Sequence, residues 1–183
     1  MSILLIGGSP TPLSRTGRWL DNIAHRLTAA GEQVSRLQVR DLPAVALLHA
    51  DYQHPDIIAA MRQVEAARGI VIATPVYKAA YSGILKTFID LLPQFGLRDK
   101  VVLPLACGGS AAHTLILDYA LRPVLSSLAP KQILDSIYAF EQQLTWSESD
   151  GLILDPAIEQ RTQLGIYAFI QATHPLRITR QPL

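Results

Sequence analysis

Residues 3–17 read Ile-Leu-Leu-Ile-Gly-Gly-Ser-Pro-Thr-Pro-Leu-Ser-Arg-Thr-Gly. The apolar run at 3–6 is typical of a strand that is buried on both faces, as the strands of parallel sheets are. Gly7 and Gly8 allow a sharp turn and a close approach of the backbone to a ligand. A helical pattern begins after this loop. The stretch therefore predicts a strand, a glycine turn and a helix, which together form the first unit of a parallel α/β sheet.

The loop that follows the two glycines has the composition of an anion site. Hydroxyl groups and one guanidinium are concentrated there, at Ser9, Thr11, Ser14, Arg15 and Thr16. Backbone N–H groups of the first helical turn point toward the same place, and the helix dipole favours an anion there. Arg15 can form two hydrogen bonds with a phosphate. The loop therefore predicts a phosphate site; the alternative is an ordinary strand–helix turn in which Ser14 is only the N-cap.

Composition limits the classes of protein to which this chain can belong. Its 183 residues, of which 49% are hydrophobic, suffice for one domain, placed at 1–174 with an extended tail at 175–183. The net charge of +1 gives no basis for binding nucleic acid and argues against an acidic electron carrier. The single cysteine, Cys107, excludes an internal disulfide. Since no signal peptide or membrane span is visible in the sequence either, we expect a cytoplasmic protein.

Apolar runs and helical periodicities alternate along the chain. Strands are predicted at residues 3–6, 33–39, 69–74, 100–106 and 132–140. Helices are predicted at about 14–30, 55–67, 83–92, 112–128 and 155–172. Segment 41–54 is predicted as a loop whose apolar part, 44–48, is covered by the rest of the molecule or by another subunit. This alternation predicts an α/β, flavodoxin-like three-layer sandwich with a five-stranded parallel sheet in the order 2-1-3-4-5.

In that strand order the loops after strands one, three and four meet at one edge of the sheet. The second of these loops begins with Pro75, Val76 and Tyr77, which suit the edge and face of a flat ring. The third contains Gly108 and Gly109, which leave room for a planar ligand. A flat ring joined to a monophosphate, as in FMN, would match all three loops. Packed aromatic side chains and an ordinary diglycine turn remain the alternative for each loop taken singly.

Several motifs link these loops to a known family. They are Gly-Gly-Ser-Pro at 7–10, Ala-Thr-Pro-Val-Tyr-Lys-Ala-Ala-Tyr-Ser-Gly at 73–83, Lys-Val-Val-Leu-Pro-Leu-Ala at 100–106, the diglycine at 108–109 and Asp-Tyr-Ala-Leu at 118–121. With them the sequence resembles the NADPH-dependent FMN reductase family, most of all its alkanesulfonate-associated members. The resemblance covers most of residues 3 to about 140 and is weak beyond Phe140, so no functional residue is assigned there.

The resemblance implies a set of site residues. FMN phosphate is expected at Ser9, Ser14, Arg15 and Thr16, with Thr11 and Ser82 included in the candidate cofactor site. The flavin ring is expected against Pro75, Val76, Tyr77 and Lys78, with Gly108 and Gly109 nearby. Lys78 is a tentative catalytic candidate that would stabilise negative charge on the N1/C2 carbonyl side of reduced flavin; the alternative is a solvated lysine. No metal is expected, because the histidines lack metal-ligand spacing.

The resemblance also implies a reaction. Hydride would pass from C4 of the nicotinamide of NAD(P)H to N5 of FMN, and reduced FMN would leave for a separate monooxygenase of sulfonate-sulfur assimilation. A homodimer or homotetramer is implied as well. The alternatives are a quinone or azo reductase that retains its FMN, and a non-enzymatic flavodoxin-like electron carrier.

Pro123 lies inside the predicted fourth helix. It lacks an N–H, and its ring crowds the carbonyl of Tyr119, so the helix should kink or widen into a π-turn there. In the resembled family a tyrosine at this place is associated with a π-helix at a subunit interface near the flavin. Tyr119 is therefore the second tentative catalytic candidate, with a packed tyrosine beside a proline kink as the alternative.

Overall fold

A parallel sheet forms the middle layer of the molecule. In the computed structural model, which describes residues 2–174, the strands of this sheet are β1 (Ser2–Gly7), β2 (Val34–Gln38), β3 (Ala67–Tyr77), β4 (Ala80–Tyr81), β5 (Val101–Gly108), β6 (Gln132–Ile133) and β7 (Ile137–Phe140). Their order is β2-β1-β3-β5, with both β6 and β7 paired to β5 and β4 paired to β3. The predicted flavodoxin-like order is confirmed, with β6 and β7 together in the fifth position.

The predicted count of five strands was wrong, since the sheet has seven. The fifth strand is interrupted after Ile133, where the Arg122 guanidinium donates hydrogen bonds to the carbonyls of Ile133 and Leu134. Beyond the break, β7 pairs with the carboxyl-terminal half of β5. The other additional strand, β4, exists because β3 turns back on itself after Tyr77.

The helices cover both faces of the sheet. They are α1 (Arg15–Ala29), α2 (Ala44–Leu48), α3 (Pro55–Ala66), α4 (Gly83–Ile89), α5 (Arg122–Ser127) and α6 (Pro156–Thr173). Alternate residues of β1 enter opposite cores: Ile3 and Leu5 pack with α1 and α6, whereas Leu4 and Ile6 pack with α2 to α5. Because both faces are covered, this strand is apolar throughout. No helix among the described residues is long and apolar enough to cross a membrane.

Several segments differ from the prediction; among them, α4 ends at Ile89 instead of 92, and β3 is longer than the predicted 69–74. The predicted loop at 41–54 contains α2, where Ala46 and Leu47 are buried in the chain's own core while Val45 and Leu48 are exposed. The predicted helix at 112–128 is divided into a 3-10 turn at Ala111–His113, a π-helix at Leu117–Leu121, and α5. The segment between the predicted strand 132–140 and the predicted helix at 155, to which no element was assigned, contains an antiparallel hairpin of β8 (Leu144–Ser147) and β9 (Gly151–Leu154). The predicted tail at 175–183 lies outside the described residues.

The turn between β3 and β4 is strained. Val76 pairs with Tyr81 and Tyr77 pairs with Ala80, which leaves a two-residue loop made of Lys78 and Ala79. Both loop residues have positive φ, 50° and 58°. This is the backbone of a type I′ turn, which favours Asn-Gly because a Cβ opposes left-handed geometry.

We expect Ala79→Gly to raise the free energy of unfolding by about 0.5–1 kcal/mol, because glycine removes the Cβ strain at that φ. Urea denaturation with an unchanged m-value would measure the gain. The matched control is Ala80→Gly in β4, which should lower the free energy of unfolding, since glycine weakens a strand. A destabilising effect of Ala79→Gly would contradict the strain argument.

Candidate active site

A cavity of about 720 Å³ lies at the carboxyl ends of β1, β3 and β5. The structure brings these predicted site residues together in its wall: Thr11, Ser14, Arg15, Thr16, Pro75, Val76 and Tyr77. The convergence of the first two loops is therefore observed as predicted. Cys107, at the end of β5, also lines the cavity.

The first loop presents its polar groups at the start of α1. Ser14 is the N-cap, and its hydroxyl accepts a hydrogen bond of 3.0 Å from the N–H of Gly17. The first turn of α1 has no acidic residue, so the positive end of the helix dipole is not neutralised from within the helix. Ser14, Arg15 and Thr16 all line the cavity at this end. Helix start, hydroxyls and guanidinium thus have the composition of a candidate anion site.

Ser9 organises this loop from behind the cavity wall. Its side chain is buried, and its hydroxyl donates to the carbonyl of Thr11 while accepting from the N–H of Thr11. The neighbouring glycines have negative φ, unlike Gly31 and Gly151. A Cβ on Gly7 would lie 2.1 Å from Gln38 Oε1, and a Cβ on Gly8 would lie 2.9 Å from Leu85 Cβ. Close packing against Leu85 therefore requires Gly8, whereas a side chain at Gly7 would displace only the flexible end of Gln38, and neither position needs a left-handed turn.

The second loop forms an apolar wall, and buried hydrogen bonds hold it in place. Pro75 is buried and Val76 half-buried, whereas Tyr77 is 47% exposed. The Thr74 hydroxyl donates to the carbonyl of Pro75 and accepts from the N–H of Ser82. The Ser82 hydroxyl donates to the carbonyl of Gly8 and accepts from the N–H of Leu85. Ser82 thus joins the first loop to the second and caps α4, while Lys78 is exposed at the tip of the turn.

The two glycines of the third loop have different surroundings. A Cβ on Gly108 would lie 2.4 Å from the hydroxyl oxygen of Tyr138, which donates a hydrogen bond of 2.6 Å to the carbonyl of Ser110. A Cβ on Gly109 would meet nothing within 4 Å. Packing of Tyr138 therefore explains Gly108, whereas Gly109 leaves open space that a planar ligand can use.

Residues that the sequence patterns did not predict close the cavity at the start of α1, the end proposed for the phosphate. Glu141 follows β7 and its Oε2 lies 3.3 Å from Nη1 of Arg15. The Arg18 guanidinium stacks over the ring of Trp146, on β8, at 3.5 Å from the ring centroid. Nη1 of Arg18 is buried and has no hydrogen-bond partner within residues 2–174. The family motifs end before this segment, and its local patterns were an alternation of apolar residues at 144–147 and an apolar run at 152–154, neither of which indicates a role for Glu141.

Cys107 is a buried thiol in the cavity wall. Burial, with a smaller contribution from the Glu141 carboxylate, raises its pKa from 9.0 to about 12, and Arg15 opposes this weakly. A raised pKa means that the fold favours the neutral thiol. That stabilisation is present below pH 9 and is lost as pH rises toward 12.

We expect alkylation of native Cys107 by iodoacetamide at pH 8 to be about a thousandfold slower than that of an unperturbed thiol, because each unit of pKa lowers the thiolate fraction tenfold. Mass spectrometry of timed samples would measure the rate, with the protein in concentrated guanidinium chloride as the control. Rapid labelling of the folded protein would show that the thiol is not held neutral.

Fold and site together define a class of protein. The cavity combines hydroxyls and a guanidinium at a helix start with an apolar wall and a guanidinium nitrogen on Arg18 that has no hydrogen-bond partner within residues 2–174, whereas Gly108 and Gly109 do not line it. These residues fit a flat ring that carries a phosphate, as FMN does. The architecture is that of the flavodoxin-like α/β proteins, and an archaeal flavodoxin structure has the same fold, with a TM-score of 0.60 at 12% identity.

Comparison with known proteins gives the family. Residues 1–145 match the family described as NADPH-dependent FMN reductase. The chain is 43% identical over 170 residues to an FMN reductase (NADPH) of Pseudomonas putida, covering 92% of this chain and 86% of that one. It is 38% identical over 174 residues to an FMN reductase (NADPH) of Escherichia coli, covering 95% and 91%. A solved NADH:FMN oxidoreductase, EMOB, superposes with a TM-score of 0.86 at 37% identity, covering 98% of this chain and 93% of that one.

The chain therefore belongs to the NADPH-dependent FMN reductase family, as the resemblance implied. It is an NAD(P)H:FMN oxidoreductase, with FMN as its flavin and NADPH as its electron donor.

The predicted π-turn is also confirmed, because the N–H of Arg122 donates a hydrogen bond to the carbonyl of Leu117 within the π-helix. Tyr119 lies on that π-helix and is 79% exposed.

Proposed function

We propose that the protein uses FMN as an exchanging substrate and releases reduced FMN to a separate monooxygenase, of the kind that releases sulfur from alkanesulfonates. The observation that carries this proposal is the exposure of the phosphate end of the cavity. The side chains of Arg15 and Glu141 are 52% and 50% exposed. A flavin held there keeps contact with solvent, which supports exchange rather than permanent retention.

When both cofactors are bound, they supply the chemistry, which is the transfer of hydride from nicotinamide C4 to flavin N5. The chain supplies position and charge. The start of α1 and Arg15 hold the phosphate, while Pro75 and Val76 place an apolar wall against the ring. Lys78 follows Tyr77 of the cavity wall in the strained turn, and its proposed role is to stabilise negative charge on reduced flavin with its ammonium group. If Lys78→Met changed neither flavin affinity nor turnover, this role of Lys78 would be wrong.

We further propose that the exposed side of the π-helix is covered in a homodimer or homotetramer. Tyr119 on the π-helix and Leu115 two residues before its start are both exposed, at 79% and 58%. π-helices recur at functional sites. Tyr119→Ala should therefore alter the oligomeric state, measured by light scattering, and the rate of flavin release. A variant with an unchanged mass and unchanged release rate would exclude Tyr119 from both roles.

The proposal is tested by steady-state NADPH oxidation with flavin-free protein and varied FMN. Saturable turnover that requires free FMN and continues in air would support a flavin-exchanging reductase. A protein that stays yellow through gel filtration, and turns over only with a quinone or an azo dye, would favour a reductase that retains FMN. The second outcome has some support, because an NADPH azoreductase of a Bacillus species is 27% identical over 175 residues.

A further inference from the structure

We propose that Glu141 competes with the FMN phosphate for Arg15, weakens FMN binding and so sets the rate at which flavin leaves. The inference rests on the proposed function, in which FMN is exchanged. It assigns a specificity role to a residue beyond the family motifs, which lines the same cavity and contacts Arg15 of the phosphate loop.

The fold holds the carboxylate at this position. β7 pairs with β5 so that Phe140 lies opposite Gly108, and Glu141 begins the 3-10 turn Glu141–Gln143 that follows. The N–H of Phe140 donates to Oε1 of Gln143 at 3.0 Å, which closes the turn. Leu144, the next residue along the chain, is buried in the core on the α1 side. The backbone of Glu141 is thereby fixed beside the anion site.

Glu141 is not needed to complete the start of α1. Ser14 already caps the helix, and Glu141 reaches Arg15 from 126 positions along the chain. The guanidinium of Arg15 binds carboxylate and phosphate with the same donors, so contact with one reduces contact with the other. The carboxylate also lies near any phosphate held at Ser14 and Thr16, and it repels that phosphate. Competition for Arg15 and repulsion of the phosphate both weaken the binding of FMN.

The expected effect is moderate because the Arg15–Glu141 pair is half exposed and its charges are screened by solvent. We expect Glu141→Gln to lower the Kd for FMN about three- to tenfold and to slow FMN dissociation by a similar factor. Riboflavin has the same ring but no phosphate, so its Kd should stay within about twofold of the wild-type value.

The experiment titrates flavin-free protein with FMN and with riboflavin, following quenching of flavin fluorescence, and measures dissociation by stopped flow. The matched control is Glu148→Gln, which removes the same charge from an exposed residue in the turn between β8 and β9. That control should leave both Kd values unchanged. Glu141→Ala serves as a second variant, and thermal unfolding of every variant confirms that the fold is intact.

Unchanged FMN affinity in both Glu141 variants would overturn the inference, and so would equal tightening of FMN and riboflavin. Tightening by Glu148→Gln equal to that by Glu141→Gln would also overturn it, since the effect would then be one of net charge. The proposed function fails by a different result. Wild-type protein that retains FMN through gel filtration would contradict flavin exchange, whatever the variants show.

Discussion

Arg15→Ala should raise the Kd for FMN about 10- to 100-fold, because a hydrogen bond to a charged group contributes about 1.5–3 kcal/mol. Arg15 lines the cavity at the start of α1, next to the Ser14 cap in the chain. Riboflavin lacks the phosphate, so its Kd should change less than about threefold. Fluorescence titration with both flavins would measure the two values.

Two further variants sharpen this test. Arg15→Lys keeps the charge but loses the paired hydrogen bonds, so its Kd for FMN should lie between those of the wild type and the alanine variant. Arg36→Ala is the matched control, because Arg36 pairs with Asp21 at 2.6 Å on the surface, outside the cavity wall. An equal loss of FMN and riboflavin affinity in Arg15→Ala would mean that Arg15 acts through the fold and not on the phosphate.

Gly108→Ala should lower the free energy of unfolding by about 2–3 kcal/mol, through overpacking and a strained hydrogen bond. The added Cβ would lie 2.4 Å from the hydroxyl oxygen of the buried Tyr138 and 3.1 Å from Val76 Cβ. Tyr138 would have to move, which would weaken its hydrogen bond to the carbonyl of Ser110. Denaturant unfolding of the purified variant would measure the loss.

Gly109→Ala is the matched control for stability, because a Cβ there meets nothing within 4 Å. Its free energy of unfolding should change by less than about 0.5 kcal/mol. If the flavin ring lies over Gly109, however, the same substitution should raise the Kd values for FMN and riboflavin by a similar factor. Equal stability of the two alanine variants would contradict the packing argument for Gly108.

Sequence patterns predicted the parts of the fold that repeat locally. The apolar runs of β1, β3 and β5 are buried on both faces, and helices α1 and α6 lie within a residue of their predicted bounds. Local patterns failed where side chains from distant segments decide the structure. The break after Ile133 lies where Arg122 donates hydrogen bonds to the strand's carbonyls, and α2 buries Leu47 in a core formed by distant segments. Periodicity carries no information about such contacts.

The candidate site also has features that local sequence patterns predicted and features that depend on contacts between distant segments. Loop chemistry and strand order together predicted that the phosphate loop and the Pro75–Tyr77 segment would share a cavity, and they do. Pro123 predicted the irregular backbone at Tyr119 from one missing N–H, and a π-helix is present. In both cases the relevant physics acts over a few residues, or follows from the fixed handedness of βαβ units.

The sequence by itself determined the parallel sheet, the glycine loops at its edge and the hydroxyl and arginine groups that can hold a phosphate. Only the tertiary structure showed that Glu141 meets Arg15 and that Arg18 stacks on Trp146. It also separated Gly108, required by Tyr138, from Gly109, which faces open space. The physical reason is that hydrogen-bonding capacity and backbone preference belong to each residue, whereas distances between residues more than a hundred positions apart are set by the packing of the whole chain.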